Sequence, residues 1–341
     1  MLHSSDFVHL HLHTQYSLLD GACQLKPLAH LAAAYKMPAL SITDHGNLFG
    51  AIEFYLEMQQ AGVKPIIGCE VYVAPKSRFE KDSSGIKDAS HHLILLVKDE
   101  EGYKNLTKLV SSAFLEGFYY RPRIDKEILA EHSKGLICLT ACLKGEIPCF
   151  IQENRLNDAR KVIGDLSSMF GKDNFYLELQ ENFIPEQATV NQELVKFARE
   201  FNLGLVATND VHYLKKEHSR AHEILLCIQT QDTLGNPERM KFATNEFYFK
   251  GPEEMKKNFA QTPEAITNTL KIAEACNLEL DFRKAHLPHF EAPHGIAKEE
   301  FLKDLCSKGL VMRYKEVTPE IKARLTHELE VITNTGFISY F

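Results

Sequence analysis

The stretch FVHLHLHT, residues 7–14, alternates apolar and imidazole side chains. This period of two predicts a β-strand over Phe7–His13, with His9, His11 and His13 on one face. A buried row of imidazoles is costly unless each ring forms hydrogen bonds or binds a metal ion. A polar strand face with paired histidines would explain one such residue, whereas three in a row favour a metal site.

Short apolar runs alternate with amphipathic stretches downstream of this strand. Strands are predicted at Ala39–Thr43, Pro65–Ala74, Leu93–Val97, Gly135–Thr140, Phe175–Leu179 and Leu205–Thr208. Helices are predicted at Gln24–Tyr35, Ala51–Ala61, Gly102–Phe114, Leu156–Phe170, Glu186–Phe201 and Ser219–Gln229. Repeated strand–helix units indicate parallel strands with helical crossovers. Their number favours a closed (β/α) barrel over an open doubly wound sheet, whose usual glycine fingerprint does not occur here.

The pattern changes after about residue 230, where prolines separate short helical pieces. Longer helices are predicted at Lys298–Tyr314 and Pro319–Thr335. We therefore expect three regions, namely a barrel core over 1–230, a completion of the barrel and linker over 231–285, and a mainly helical region over 286–341. Because residues 336–341 form an apolar run, we expect the chain to be part of a longer protein.

The composition is that of a globular protein, with 44% apolar and 25% charged residues among 341. It contains no run of about 18 apolar residues, so no membrane span is predicted. The net charge of −7 disfavours DNA binding by bulk charge, yet it is compatible with a metal site that acts on phosphates. The eight cysteines form no CxxC pair and follow no signal peptide, which predicts reduced thiols in a cytoplasm.

Further candidate metal ligands accompany the next two predicted strands. Asp44 and His45 directly follow Ala39–Thr43, where the aspartate could equally cap the next helix. Glu70 interrupts the apolar strand Pro65–Ala74. A carboxylate in that position needs a partner, which is either a structural salt bridge or a metal ion.

The later strands carry the remaining candidates. His91 and His92 precede a strand, and only one of them need face the interior of a barrel. Cys142 lies just past the following strand and could equally be a small buried apolar group. Asp210 and His212 share one face after the last of these strands.

In a parallel barrel, the carboxyl ends of the strands meet at one rim, where these residues would converge. They are too many for one tetrahedral ion, so we expect a multinuclear site in which a carboxylate such as Glu70 bridges two ions. Mixed imidazole and carboxylate ligands suit zinc, manganese or Fe(II). Adjacent divalent ions lower the pKa of bound water and stabilise the oxygens of a phosphoester displacement, which makes phosphoester hydrolysis the expected chemistry.

Five motifs together resemble the signature of the PHP (polymerase and histidinol phosphatase) family. They are His11-Leu12-His13, Thr43-Asp44-His45, Glu70, His92 and Asp210-Val211-His212. Longer stretches, such as ALSITDHGNLFGAIEFY (39–55) and HELEVITNTGFISYF (327–341), resemble the branch of this family found at the N-terminus of bacterial replicative DNA polymerase alpha subunits. The resemblance spans essentially the whole chain. It implies an α/β fold, a distorted (β/α)7 PHP barrel followed by a small mainly helical segment that leads into a polymerase palm.

The resemblance also implies two to three divalent ions (Zn, Mn or Fe), with a trinuclear site and a full set of ligands. The ligands that it implies are His11, His13, Asp20, His45, Glu70, His92, Cys142, Asp210 and His212. Those expected to act in catalysis through the bound metals are His11, His13, Glu70 and Asp210. His9 is expected to form a supporting hydrogen bond, and Asp44 is expected to orient His45. Asp20 is identified by the resemblance alone and could otherwise be a helix N-cap.

A full ligand set implies a metal-loaded domain with 3′–5′ exonuclease or related phosphoesterase activity, within a protein that extends DNA. The palm carboxylates of such a polymerase are expected beyond Phe341, because the chain contains no Asp-x-Asp pair. The implied partners are the primer 3′ end of DNA, the remainder of the alpha subunit, a proofreading exonuclease subunit and other replisome subunits.

Two other functions stay open at this point. The first is a stand-alone PHP phosphatase that acts on a small phosphomonoester such as histidinol phosphate. The second is a catalytically silent binding module whose structural metal helps to hold a polymerase domain or a proofreading subunit. Weak contacts to a nucleic-acid backbone are considered at Arg121 and Arg123, although such a cluster is more often a solvated loop or an interdomain contact.

Overall fold

The computed structural model describes residues 5–82, 89–283 and 289–341. They form two compact units, one that ends at Glu279 and one that covers Leu280–Phe341, and each is described by itself. Within the described ranges, no helix has both the length and the apolar character needed to cross a membrane.

The first unit is built on a mixed sheet surrounded by helices. Its strands are β1 (Ala39–Ile42), β2 (Lys64–Val73), β3 (His91–Val97), β4 (Arg123–Ile124), β5 (Leu136–Leu139), β6 (Phe175–Gln180) and β7 (Gly204–Thr208). Its helices are α1 (Leu25–Ala34), α2 (Ala51–Gln60), α3 (Glu100–Leu115), α4 (Lys126–Glu131), α5 (Glu146–Gln152), α6 (Leu156–Phe170), α7 (Pro185–Phe201), α8 (Ser219–Thr230), α9 (Pro252–Asn258) and α10 (Pro263–Ala275). The strands pair in the order β1-β2-β3-β5-β6-β7, and β4 pairs with β2.

Local signals explain where several helices begin and end. The Asp99 carboxylate accepts the Gly102 N–H at 2.9 Å, which caps α3 two residues earlier than the predicted start. Pro185 occupies the first turn of α7, and Asn202 ends that helix in the left-handed conformation with φ of 53°. The second unit contains α11 (Lys298–Arg313) and α12 (Pro319–Asn334), which confirm the two helices predicted there.

The FVHLHLHT stretch lies between β1 and the residues that follow β7. On one side, the Ser41 N–H donates to His9 O at 3.1 Å. On the other side, the His13 N–H donates to Val211 O at 2.7 Å. The stretch thereby completes a ring of strands, but through one isolated bridge between Leu12 and Val211 and through separate backbone hydrogen bonds to β1, rather than as the regular strand that was predicted. Asp210 has φ of 49°, outside the β region, and a regular ladder cannot continue through it.

The predicted α/β class is confirmed, but the expectation of parallel strands throughout is wrong for β3. This strand runs antiparallel to both β2 and β5. No helix is described between β2 and β3, and a chain that returns without a crossover pairs antiparallel. The amino end of β3, with His92, therefore lies at the edge where β1, β2, β5, β6 and β7 have their carboxyl ends.

The opposite end of the ring is covered by α10. The Thr269 hydroxyl accepts the Val8 N–H at 3.1 Å, and the Asn268 amide donates to Leu205 O at 2.7 Å. Ile272 on the same helix joins the apolar core of the ring. That core is formed mainly by Val8, Leu10, Ile66, Ile94, Leu96, Ile137, Leu139 and Val206, all essentially inaccessible to solvent. One end of the ring is thus closed by a packed core, and polar side chains collect at the other.

Arg123 in β4 is a structural residue rather than the DNA contact considered from the sequence. Its side chain is buried, and its guanidinium donates to Gly117 O at 3.0 Å, Ala89 O at 3.2 Å, Arg78 O at 3.2 Å and Glu80 O at 2.7 Å. Four of its five N–H groups are used for backbone carbonyls, and the buried side chain does not present the guanidinium to a phosphate at the surface. The assignment of Arg123 to nucleic-acid contact is therefore wrong.

We expect Arg123→Met to lower the free energy of unfolding by about 3 kcal/mol, because it removes charge-assisted hydrogen bonds to four carbonyl oxygens. The measurement is urea denaturation followed by circular dichroism. The matched control is Arg121→Met at a partly exposed position, which should change stability by less than about 0.5 kcal/mol. Equal stability of the two variants would contradict a structural role for Arg123.

Candidate metal centre

All of the ligands implied by the resemblance converge at the polar end of the ring. There a cavity of about 150 Å³ is lined by polar and apolar side chains from several elements. The implied ligands that line it are Asp20, His45, Glu70, His92, Cys142, Asp210 and His212. His11 and His13 are inaccessible to solvent, and their rings contact the carboxylates of Glu70 and Asp210. The donor atoms form three groups, which we call the inner, outer and Asp20 groups.

The inner group joins His11 Nε2, His13 Nε2, Glu70 Oε2 and Asp210 Oδ1. His11 Nε2 lies 3.1 Å from His13 Nε2 and 2.8 Å from Glu70 Oε2. Asp210 Oδ1 lies 3.1 Å from both imidazole nitrogens, and Glu70 Oε2 lies 3.7 Å from His13 Nε2. Four donors bound to one ion at about 2.1 Å in a tetrahedron would stand about 3.4 Å apart. The measured separations bracket that value and fit one shared cation.

The outer group uses the second oxygen of Glu70. Glu70 Oε1 lies 2.9 Å from His45 Nδ1 and contacts His92 Nδ1 closely. Cys142 Sγ lies 3.7 Å from the same nitrogen of His92. The two oxygens of one carboxylate therefore face two separate sets of donors, which is the arrangement that a bridging carboxylate requires.

The Asp20 group lies on the other side of the His45 ring. Asp20 Oδ2 is 3.2 Å from His45 Nε2, and Asp20 Oδ1 is 3.7 Å from His212 Nε2. The N-cap of α1 is Gln24, so Asp20 does not cap that helix. The alternative considered for Asp20 from the sequence is not what the structure shows.

A glycine turn sets His45 beside Glu70. Gly46 has φ of 61°, and its N–H donates to Glu70 O at 2.8 Å. A Cβ at Gly46 would approach Pro122 Cγ to 2.9 Å and the Tyr72 ring to 3.1 Å. The conformation and the close packing both favour glycine, which makes the TDHG sequence a structural unit.

Hydrogen bonds on the far side of three imidazoles direct their Nε2 atoms into the groups. His11 Nδ1 donates to Glu178 Oε1 at 2.7 Å. His212 Nδ1 donates to Asp210 O at 2.8 Å, and His13 Nδ1 lies 3.0 Å from Ser17 Oγ. An N–H fixed at Nδ1 leaves the Nε2 lone pair free to bind a cation.

Asp44 supports this end of the ring through Ser17. Its carboxylate accepts the Thr14 N–H at 2.6 Å, the Thr14 hydroxyl at 2.7 Å and the Ser17 hydroxyl at 2.7 Å. Ser17 in turn contacts the His13 ring and accepts the His45 N–H at 3.1 Å. No hydrogen bond within the described ranges joins Asp44 to the His45 ring, so its support reaches His13 more directly than His45.

His9 lies on the same stretch but does not reach the three groups. Its Nε2 donates to Lys250 O at 2.9 Å, and its ring packs at 4.6 Å from that of Phe249. Burial lowers the pKa of His9 to about 4, so the ring is neutral. Its hydrogen bond attaches the FVHLHLHT stretch to the segment before α9.

The three carboxylates of the centre are anionic. Burial by itself raises the pKa of each, but the surrounding imidazoles hold the pKa of Glu70, Asp20 and Asp210 well below its usual range. Asp20 Oδ1 and Asp210 Oδ1 are nevertheless buried without a hydrogen bond from any described residue. Buried anionic oxygens without donors are costly, and a divalent cation would compensate them.

The imidazoles differ in their charge. Burial lowers the pKa of His13 to about 4 and that of His212 to about 3, so both are neutral at pH 7. Burial acts in the same direction on His11, but the carboxylates of Asp210 and Glu178 raise its pKa well above the usual value. The neutral imidazoles of His13 and His212, the anionic carboxylates and the thiol of Cys142 form a donor set that fits zinc or another first-row divalent ion.

Sequence reasoning missed two residues of this centre, Glu178 and His222. Glu178 interrupts the apolar strand β6 in the way that Glu70 interrupts β2, and that signal could have identified it. His222 stands alone in α8, and its Nε2 lies 3.7 Å from Asp20 Oδ1. No local pattern marks His222, because its neighbourhood forms only in the folded chain.

Comparisons with known proteins agree with the motifs. Residues 9–182, about half of the chain, match the family described as PHP domain. The DNA polymerase III subunit alpha of Borreliella burgdorferi is 48% identical over 339 residues, which are 99% of this chain and 30% of that protein. The same subunit of Treponema pallidum is 44% identical over 336 residues (98% and 29%), and that of Thermus aquaticus is 49% identical over 322 residues (91% and 26%).

The chain spans about 30% of the length of these relatives. The matched residues include the FVHLHLHT stretch from His9 onward, the TDHG turn, Glu70, His92 and Cys142. With about half of its residues matched to the family, the chain belongs to the PHP domain family.

Proposed function

We propose that this chain is a metal-dependent phosphodiesterase domain that removes nucleotides from the 3′ end of DNA. The observation that carries the proposal is the placement of Glu70, whose two oxygens face the inner and the outer group. When bound there, adjacent divalent ions supply a nucleophile from water near neutral pH and stabilise charge on the phosphodiester oxygens.

We further propose that two to three divalent ions (Zn, Mn or Fe) are held by the implied ligands of the inner, outer and Asp20 groups. The role of the protein is to bind and orient. The imidazole rings of His11 and His212 are already oriented by hydrogen bonds at Nδ1, so they need little reorganisation when a cation binds. The inner-group residues His11, His13, Glu70 and Asp210 are those we propose to act in catalysis, through the ions that they hold.

Apolar side chains that line the same cavity as the ligands support a nucleotide substrate. Met240, Phe242 and Phe247 line it, together with Ile184, and Lys144 lies at the same cavity. Aromatic faces stack on nucleobases with little dependence on sequence, and an ammonium group attracts a phosphate. A small phosphomonoester without a base would use little of this apolar wall.

We also propose that the chain works as part of a replicative DNA polymerase alpha subunit. The support is its identity of 44–49% to the three alpha subunits above over nearly its whole length. The proposed partners are then the primer 3′ end, the remainder of the alpha subunit, and the proofreading and other replisome subunits. DNA synthesis belongs to residues outside this chain in that proposal.

The proposal is tested by supplying the purified, metal-loaded chain with 3′-labelled single-stranded DNA and with p-nitrophenyl phosphate. We expect release of the 3′ nucleotide to exceed turnover of the monoester. His11→Ala should reduce that release by about 100-fold or more, because it removes a donor of the inner group. The matched control is His30→Ala, an exposed histidine on α1, which should leave the rate unchanged.

Two results would favour the other functions. A strong preference for p-nitrophenyl phosphate would favour a phosphatase of small monoesters. A metal-loaded chain without hydrolytic activity, in which His11→Ala lowers only the melting temperature, would favour a binding module with a structural metal.

The bridging role of Glu70 gives a separate expectation for metal content. Glu70→Gln should remove the ions of both the inner and the outer group, whereas Cys142→Ser should affect only the outer one. Elemental analysis of the dialysed variants measures the ions retained per chain. Equal losses in the two variants would show that Glu70 does not bridge.

Glu178 is expected to act on metal binding through His11. Glu178→Gln keeps the shape of the side chain but weakens the acceptor that holds His11 Nδ1. We expect the metal affinity to fall about 10- to 100-fold, measured by competition with a chelator. Glu186→Gln, an exposed position at the start of α7, serves as the matched control. Unchanged affinity in Glu178→Gln would remove Glu178 from the metal centre.

A further inference from the structure

His222 is a buried histidine in α8 with an unsatisfied ring nitrogen. The residue is 2% exposed, and its Nε2 has no hydrogen-bond partner among the described residues. The atom lies 3.7 Å from Asp20 Oδ1, a buried oxygen that likewise accepts no hydrogen bond from them. Two buried polar atoms thus face each other at a distance too long for a hydrogen bond, and each is costly to leave without a partner.

A hydrogen bond between His222 and Asp20 would not by itself account for the other contact of Asp20 Oδ1, which is to His212. His212 Nε2 lies at the same 3.7 Å from Asp20 Oδ1, and the proton of that ring is placed on Nδ1 by its bond to Asp210 O. A nitrogen lone pair therefore faces a carboxylate oxygen, and both are acceptors. Such an approach is unfavourable unless a cation lies between the two atoms.

Aromatic rings cover one side of this place, against His212 and His222. The Phe242 ring packs 4.6 Å from the ring of His222 and 4.8 Å from that of His212. Phe247 packs 4.5 Å from Phe242 on its other side. An apolar cover lowers the local dielectric constant and strengthens any attraction between a cation and the Asp20 carboxylate.

We infer that His222 is a ligand of a divalent cation that Asp20 and His212 also hold, in addition to the ligands implied by the family motifs. The separations of 3.7 Å between Asp20 Oδ1 and each of these nitrogens suit donors on one ion. His45 Nε2 lies 3.2 Å from the other oxygen of Asp20, Oδ2. The inference rests on the metal centre of the proposed function.

The test compares the metal content of the full chain and two variants, His222→Ala and His222→Gln. Each is titrated with Zn²⁺ or Mn²⁺ alone, and the bound ions are counted by elemental analysis after dialysis, with circular dichroism to confirm folding. We expect both variants to lose about one ion per chain, or to bind that ion about 10- to 100-fold more weakly. The ions at Glu70 should be retained. His218→Ala, a partly exposed histidine just before α8, should bind like the wild type.

The outcomes separate this inference from the proposed function. A wild-type chain that binds no divalent ion overturns both. A metal-loaded wild type whose content and affinity are unchanged in His222→Ala overturns the assignment of His222 and leaves the rest of the centre standing. Full metal content in His222→Gln but not in His222→Ala would mean that the side chain only positions Asp20 by a hydrogen bond, which also overturns the ligand assignment.

Discussion

The arrangement of this protein depends on one buried carboxylate, that of Glu70 in β2. A fully buried anion is strongly unfavourable unless opposite charge or donors surround it. Here imidazoles from three other parts of the chain approach its two oxygens, His11 on one and His45 and His92 on the other. Because these histidines are far apart in sequence, the carboxylate can be accommodated only when the ring of strands is complete.

The fold supplies that ring with two ends of opposite character. Helix α10 and the core of Val8, Leu10 and Ile94 close one end with packed apolar side chains. At the other end, several buried carboxylate and imidazole atoms have no hydrogen-bond partner among the described residues. Because buried carboxylate oxygens there accept no hydrogen bond from the described residues, cation binding would stabilise the fold, since a ligand that binds only the native state raises its stability.

The supporting hydrogen bonds show how the chain selects the metal-binding form of each ring. Glu178 and the Asp210 carbonyl hold Nδ1 protons, and Asp44 reaches His13 through Ser17. Glu178, Ser17 and Asp44 are not among the proposed ligands, and Asp210 holds the His212 ring through its backbone carbonyl rather than its carboxylate, so orientation and binding are divided between different groups. This division explains why so many polar residues are buried around one small cavity.

Much of this could be predicted from the sequence. The period of two in FVHLHLHT and the 3.6-residue period of the helices arise from neighbours along the chain, so elements such as α6 and β2 were placed to within a residue or two. The interruption of an apolar strand by Glu70 likewise marks a buried charge wherever the strand ends up. The direction of β3, the burial of Arg123, the contact of Asp44 with Ser17 and the approach of His222 to Asp20 were decided only by the tertiary structure. They depend on which segments pair and pack, and local periodicity carries no record of a partner that lies tens of residues away, as Ser17 does from Asp44, or about two hundred away, as Asp20 does from His222.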